Sequence, residues 1–89
     1  MNLSLLRKKI HVVDIQIVSL IAKRQSYMPA VGAFKREHHL SVNQKAQEIE
    51  ILADLLKLSS KKDVSKALTR DIFKLLFRDA KRIQRKRKW

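Results

Sequence analysis

One arginine in this sequence occupies a position where a charged side chain is unexpected. Apolar residues recur every three or four positions through the first third of the chain, and Arg24 fills the step between Leu20 and Tyr27. A guanidinium on the buried face of a helix is strongly destabilising unless an anion meets it. Arg24 therefore predicts a site for a negatively charged group inside a helical bundle. The other positions of this apolar seam are Leu3, Leu6, Ile10, Val13, Ile17, Leu20, Tyr27, Val31 and Phe34.

Four further polar residues lie on or beside predicted apolar helix faces. Lys35 follows Arg24 by about three helical turns, so the two share one face. Arg7 flanks the same seam, Glu48 lies on the stripe of the second predicted helix, and Gln84 ends a stripe of the third. Each of these four is also explained by a solvated helix flank. Together with Arg24, however, they predict a polar pocket for a small anion.

The first predicted helix is unusually long for so short a chain. It begins near Asn2 or Ser4 as the N-cap and runs to about His38, with a kink expected at Pro29. A helix of that size is about 50 Å long, which exceeds the width of a compact domain of this size. We therefore expect it to pack against a second copy of the chain.

Two more helices are predicted after the first. Ser41 and Gln44 have the spacing of a capping box, with Asn43 as the alternative cap, and the second helix continues to about Leu58. Residues 59–63 are expected to connect it to the third helix. The cap of the third helix is predicted at Ser60 or Asp63, and its apolar stripe begins at Val64.

The composition favours a single all-α domain over residues 1–89. The 89 residues include one Gly, one Pro and no Cys, which excludes disulfides, thiolate metal sites and a cysteine nucleophile. No stretch is long and apolar enough to span a membrane, and we expect a cytoplasmic protein. With 21 Lys and Arg against 8 Asp and Glu, the net charge of +13 favours anionic ligands without distinguishing among them.

Several ordered blocks of this sequence resemble the all-helical chorismate mutase family. The most specific are LR-x2-I-x3-D-x2-I-x2-L-x3-R, from Leu6 to Arg24, and VG-x-x-K, from Val31 to Lys35. The segments EIEIL and TRDIFKLLF…RIQR extend the resemblance to Arg85 without a gap. The resemblance implies an intertwined homodimer of three-helix chains, in which the long first helix of this chain would be kinked at its own Pro29. Each of its two active sites would combine residues of both subunits.

The resemblance also implies a role for each polar candidate in the rearrangement of chorismate to prephenate. Arg7 would reach a substrate carboxylate from the partner chain, and Arg24 would bind the other carboxylate. Lys35 would contact the ether oxygen and a carboxylate, Gln84 would donate to the ether oxygen, and Glu48 would accept from the ring hydroxyl. The reaction is unimolecular, so no cofactor and no metal are expected.

The chain departs from the family pattern at several site positions. The family pattern D-x-x-R-E is replaced here by Gln44, Gln47 and Glu48, so one carboxylate and one guanidinium become amides. Ala80 stands where the family often has Ser. Losing the guanidinium removes a charge-assisted contact worth roughly 1.5–3 kcal/mol. Arg36 and Lys45 are candidates for supplying the missing charge. The catalytic set is Lys35, Gln84 and Arg24; the substrate-binding set is Arg7, Arg24, Lys35, Gln44, Gln47, Glu48, Ala80 and Gln84.

Three alternative functions are open from the sequence. An isochorismate pyruvate lyase would use the same cations, and a non-catalytic mutase-like subunit would tolerate the two Gln replacements. A nucleic-acid-binding module is less favoured. Its basis is the basic tail at 81–89, where six of nine residues are Lys or Arg and Trp89 closes the chain. The pair His38–His39 does not match a metal-binding spacing and is interpreted as the polar end of the first helix.

Overall fold

The computed structural model describes residues 2–86 and places them in helices joined by short connections. The helices are α1 (Leu3–Gln25), α2 (Met28–Glu37), α3 (Lys45–Lys61) and α4 (Lys66–Arg85). Together α1 and α2 form the predicted long first helix, which is bent by 18°. The all-α prediction, with a long bent helix followed by two more, is confirmed. Arg87, Lys88 and Trp89, the end of the predicted basic tail, lie outside the described residues.

A two-residue break at Ser26 and Tyr27 separates α1 from α2. The Ser26 N–H still donates to the Ala22 carbonyl at 2.9 Å, whereas the Tyr27 N–H donates to the Arg24 carbonyl at 3.4 Å as the turn tightens. Pro29 follows in the first turn of α2, where a missing N–H removes no helical hydrogen bond. The chain therefore bends just before its proline and continues as a helix.

The helix ends differ from some of the sequence predictions. Asn2 is the N-cap of α1, and its Oδ1 accepts from the Leu5 N–H at 2.9 Å. The predicted capping box at the start of α3 is wrong, because Ser41 Oγ accepts from the Asn43 N–H instead and α3 has no side-chain cap. Helix α3 also continues to Lys61, so residues 59–61 are helical and do not form a connection.

The cap of α4 is Ser65, and the prediction of Ser60 or Asp63 is wrong. Ser65 Oγ accepts from the Leu68 N–H at 3.2 Å. Asp63 instead has a positive φ of 56°, the left-handed conformation that ends a helix when no Gly is present. His39 adopts the same left-handed conformation after the end of α2, with a φ of 54°.

Helix α4 is the centre of the small core. It packs against α2 on one side and α3 on the other. Gly32 of α2 lies so close to α4 that an added Cβ would overlap the Gln84 carbonyl oxygen. At the other end of α4, Ser59 Oγ donates to Thr69 Oγ1 at 2.6 Å, and both residues are buried.

Helix α1 has almost no covering within its own chain. Gln25 is its only buried residue, and the predicted seam is exposed, with Leu20 65% and Ile10 57% accessible. The seam is thus uncovered within a single chain, and its packing against a second copy stays a prediction. The Cα radius of gyration is 16.4 Å, against about 12 Å for a compact chain of this length. Although α1 exposes many apolar side chains, none of the helices in residues 2–86 is long and apolar enough to cross a membrane.

Candidate active site

A cavity of about 310 Å³ lies where the end of α1 and the helices α2, α3 and α4 meet. Apolar side chains that include Met28, Val31, Ile51 and Phe77 form part of its wall. Seven predicted site residues line it together: Arg24, Lys35, Gln44, Gln47, Glu48, Ala80 and Gln84. Arg7 is the one predicted site residue that does not. The structure thus brings together polar residues that are up to 60 positions apart in sequence.

Lys35 and Gln84 form a direct contact across the cavity between α2 and α4. Lys35 Nζ donates to Gln84 Oε1 at 2.7 Å and to the Val42 carbonyl at 3.1 Å. An ammonium has three N–H donors, so one remains for a ligand. The Gln84 amide is only 6% exposed, and its Nε2 has just a weak sulfur acceptor, Met28 Sδ at 3.4 Å. Both side chains can therefore donate to an oxygen placed in the cavity.

The Lys35 ammonium carries an electrostatic penalty in this position. Its pKa lies below the ordinary value of 10.5, chiefly because burial disfavours the charged form. Glu48 opposes this shift, and Lys81 adds to it by repulsion. An anion bound in the cavity would relieve both the desolvation and the repulsion.

The Arg24 guanidinium is held by α4 without a carboxylate of its own. Its Cζ lies 5.9 Å from the Phe73 ring centroid and 5.6 Å from that of Phe77, which is within cation–π range. Burial lowers the pKa of Arg24, yet an arginine stays protonated in proteins. Within residues 2–86 no carboxylate forms a salt bridge with it. Arg24 is therefore a partly desolvated cation with donors available for an anion.

Gln25 orients Arg24 and was not identified from the sequence. Its side-chain oxygen accepts from Arg24 Nη1, while its Nε2 donates to the Leu76 carbonyl at 3.2 Å and to Asp79 Oδ2 at 3.1 Å. The hydrogen bond from Gln25, followed by that from Arg82, lowers the pKa of Asp79. Gln25 does not interrupt the apolar pattern of the first helix in the sequence. Only the packing of α1 on α4 therefore reveals its contact with Arg24.

Lys81 is a second residue that sequence reasoning missed. It lines the cavity from α4, and its Nζ lies 3.2 Å from Glu48 Oε2 on α3. The sequence assigned Lys81 to a solvated basic tail. Its spacing of three residues from Gln84 was the available signal, because residues i and i+3 share a helix face.

The family model for chorismate mutase type II matches residues 6–85 of the chain. This chain belongs to the chorismate mutase type II family. The match confirms the resemblance found in the sequence, which runs from Leu6 to Arg85. Neither a curated protein nor a solved structure gives a significant match.

Two positions of the cavity wall that are charged in the pattern of the chorismate mutase type II family carry uncharged side chains in this chain. Gln44 is half-buried and Gln47 is exposed, and both line the cavity beside Glu48. Neither predicted substitute for the missing charge reaches the cavity wall. Arg36 Nη1 donates to the Gln84 carbonyl at 2.7 Å, and Lys45 is exposed on α3.

Arg7 lies far from the cavity of its own chain. It lines a shallow depression on α1 with Ser4, Lys8, His11 and Val12. Seventeen residues of helix separate it from Arg24, a distance of about 25 Å. Arg7 therefore does not reach the cavity of its own chain.

The two neighbouring histidines lie at the end of α2. His38 stacks on Phe34 with ring centroids 4.0 Å apart, and its Nδ1 lies 2.9 Å from the Phe34 carbonyl. His39 occupies the left-handed turn that follows. Across residues 2–86 no group of three or more His, Cys, Asp or Glu side chains is placed to hold a metal ion.

Proposed function

We propose that this protein catalyses the rearrangement of chorismate to prephenate. The observation that carries the proposal is the contact between Lys35 and Gln84 inside a cavity that also contains Arg24. In this reaction the ether C–O bond breaks while a C–C bond forms within the same molecule. No proton, electron or group is exchanged with the protein, so the site has to supply only orientation and charge stabilisation.

Arg24 would bind one substrate carboxylate. Its planar guanidinium offers two parallel N–H donors, which match a carboxylate and restrict its rotation. The flexible enolpyruvyl arm reacts only when it lies over the ring. Fixing a reactive geometry of this kind can supply a large part of a rate enhancement.

Lys35 and Gln84 would stabilise the charge that develops on the ether oxygen. The remaining Lys35 N–H and the Gln84 Nε2 are the two donors available at this contact. Donors fixed before the reaction stabilise developing charge effectively, because they need not reorganise during the reaction. Glu48 would accept from the ring hydroxyl through the carboxylate oxygen that Lys81 leaves unpaired.

A homodimer would complete both the core and the site. The long exposed apolar face of α1 is what a second copy of the same helix would cover. In such an intertwined dimer, Arg7 of the partner subunit would bind the second carboxylate. The 25 Å between Arg7 and Arg24 along one helix supports this arrangement, because Arg7 has no route to the cavity of its own chain.

The proposal assigns the protein to aromatic amino-acid biosynthesis in the cytoplasm. The amide Gln47 weakens substrate binding relative to the family pattern, by about tenfold to a hundredfold for the lost guanidinium. Neither the replacement at Gln44 nor that at Gln47 removes the donors at the ether oxygen. We therefore expect a working enzyme.

The test is to incubate the purified protein with chorismate, follow its loss and identify the product. We expect conversion to prephenate, and we expect Arg24→Ala to reduce it by about 10²- to 10³-fold, because removing a partly buried cation leaves the anion unpaired. Arg78→Ala is the matched control, since Arg78 is exposed on α4 and does not line the cavity.

Failure of a folded wild-type protein to convert chorismate would overturn the proposal. Release of pyruvate from isochorismate, without conversion of chorismate, would instead identify a lyase. Full activity in a folded Arg24→Ala variant would remove the role assigned to that residue.

A further inference from the structure

The side chain of Lys81 is directed into the cavity although it belongs to the basic end of the chain. Its salt bridge with Glu48 crosses from α4 to α3, and its side chain is only 23% exposed. A lysine side chain loses considerable rotamer freedom when it is held in this way. A solvated tail residue would not be restricted so strongly.

The ionisable groups that line the cavity leave a net positive charge. They are Arg24, Lys35 and Lys81 against Glu48, three cations and one carboxylate, so the net charge is +2. Without Lys81 it would be +1. Gln47 contributes no charge, and Arg36 is directed to the backbone of α4. Within residues 2–86, Lys81 is therefore a cation of the cavity wall that is available to replace the guanidinium absent at position 47.

We propose that Lys81 is a substrate-binding residue whose ammonium binds a carboxylate of the dianionic substrate. This inference rests on the proposed function, since it names a further contact for the same substrate. Glu48 holds the Lys81 ammonium at the cavity wall through one N–H and leaves two N–H donors for the carboxylate. A flexible lysine is thereby held at the wall of the cavity that Gln47 also lines.

The electrostatics of Lys35 support this placement. Lys35 and Lys81 line the same cavity, and after desolvation, repulsion by Lys81 is among the causes that lower the pKa of Lys35. Two neighbouring cations in one partly dry cavity attract a dianion more strongly than either does alone.

The first test is the variant Lys81→Met, which keeps the length of the side chain and removes its charge. Prephenate is the probe for binding by calorimetry, because it retains both carboxylates and does not react further in this mechanism. We expect prephenate to bind about tenfold more weakly, and kcat/KM for chorismate to fall by a similar factor. Lys74→Met is the matched control, since Lys74 is an exposed lysine of the same helix outside the cavity.

A second comparison separates direct binding from an effect through Glu48. In a Glu48→Gln background, a binding role predicts that Lys81→Met still weakens prephenate binding by about tenfold. A role limited to positioning Glu48 predicts no further loss, and that result would overturn the proposal. Thermal unfolding of each variant establishes that the comparison is made between folded proteins.

A third comparison introduces a guanidinium at position 47, where the family pattern has one. Gln47→Arg should recover most of the lost affinity in the Lys81→Met protein and give a smaller gain in the wild type. Equal gains in both backgrounds would mean that the two positions act independently, which contradicts the compensation proposed here.

The outcomes distinguish this inference from the proposed function. If the wild type converts chorismate but Lys81→Met matches Lys74→Met, the inference fails and the mutase proposal stands. If the wild type binds prephenate without converting chorismate, the mutase proposal fails and the prephenate affinities still decide the role of Lys81. If the wild type neither binds prephenate nor converts chorismate, both are overturned.

Discussion

Helix α1 and the group formed by α2, α3 and α4 differ in how much of their apolar surface is covered within the chain. Helices α2 and α3 both pack against α4, Phe77 and Ala80 are buried there, and the three helices form most of the cavity wall. Helix α1 exposes its apolar residues along most of its length and buries only Gln25. Seven of the predicted site residues are thus brought together within the chain, whereas the main apolar face of α1 is not covered by it.

Stability and chemistry are therefore expected to respond to different parts of the molecule. Within residues 2–86 only two apolar residues, Phe77 and Ala80, are buried, which is a small core for a folded domain. The covering of α1 by a second copy would supply most of the remaining apolar burial. Arg7 and Arg24 lie near opposite ends of α1, and each carries a proposed substrate contact.

The largest expected effect comes from a charge on the exposed seam of α1. We expect Ile17→Glu to abolish the homodimer and to reduce the free energy of unfolding by more than about 3 kcal/mol per subunit, because the carboxylate would be buried without a partner. Sedimentation and thermal unfolding followed by circular dichroism measure the two effects.

Ser19→Glu is the control for this substitution. It adds the same charge about 200° around the helix from Ile17, away from the seam. A stably folded, monomeric Ile17→Glu protein would show that α2, α3 and α4 do not need the covering of α1, and the comparison between the two regions would lose its basis.

An intermediate effect is expected from the close approach of α2 to α4. In Gly32→Ala, the new Cβ would overlap the Gln84 carbonyl oxygen and lie 2.7 Å from the Gln84 Cα. The helices must separate, which costs about 1–3 kcal/mol of stability. Because the shift also moves Gln84 away from Lys35, chorismate turnover should fall by about 10²-fold.

Steady-state kinetics and sedimentation of the Gly32→Ala protein test this expectation together. Turnover should fall while the dimer persists, since the substitution lies outside the seam of α1. Ala33→Ser changes an exposed neighbour on the same helix and should alter neither quantity. Unchanged turnover in Gly32→Ala would mean that the spacing of Lys35 and Gln84 does not limit the reaction.

The smallest effect is a displacement of the alkaline limb of the pH–rate profile. Lys35 must be protonated to stabilise the ether oxygen, so activity is present below its pKa and is lost as the pH rises through it. Because that pKa lies below 10.5, kcat/KM should decline below pH 10.5. Lys81→Met removes one cause of the lowering, so its limb should move to higher pH.

Raising the pH through the pKa of Lys35 has the opposite effect on stability: activity falls, whereas the free energy of unfolding rises. A lysine whose folded-state pKa is lowered binds fewer protons in the folded state than in the unfolded state. Its contribution to the free energy of unfolding therefore rises as the pH increases through the lowered pKa towards 10.5. An alkaline limb at or above 10.5 would contradict the electrostatic environment assigned to Lys35.

The sequence was informative wherever a local rule decides the structure. The three- and four-residue spacing of apolar residues predicted helices because that spacing matches the helical period, and Asn2 was correctly proposed as a cap. The family blocks from Leu6 to Arg85 agree with the range of the family match. Arg24 was singled out because a cation on an apolar seam conflicts with its surroundings.

The cap of α4 was harder to predict, because several residues near its start can cap a helix. Ser60, Asp63 and Ser65 are all able to cap a helix, and the choice depends on how far α3 continues. The structure selects Ser65, because α3 extends to Lys61 and Asp63 adopts the left-handed turn that ends it. A difference of a few tenths of a kcal/mol between caps is too small to read from residue type alone.

By itself, the sequence determined the helical class, the family and the side chains available for binding a dianion. Only the tertiary structure decided that Lys81 faces the cavity, that Arg36 is used by the backbone of α4, and that the seam of α1 is left uncovered. Helical periodicity places a residue on a face, but it does not specify which helix that face meets. That choice depends on packing between segments far apart in the chain, such as the contact of Gly32 with Gln84.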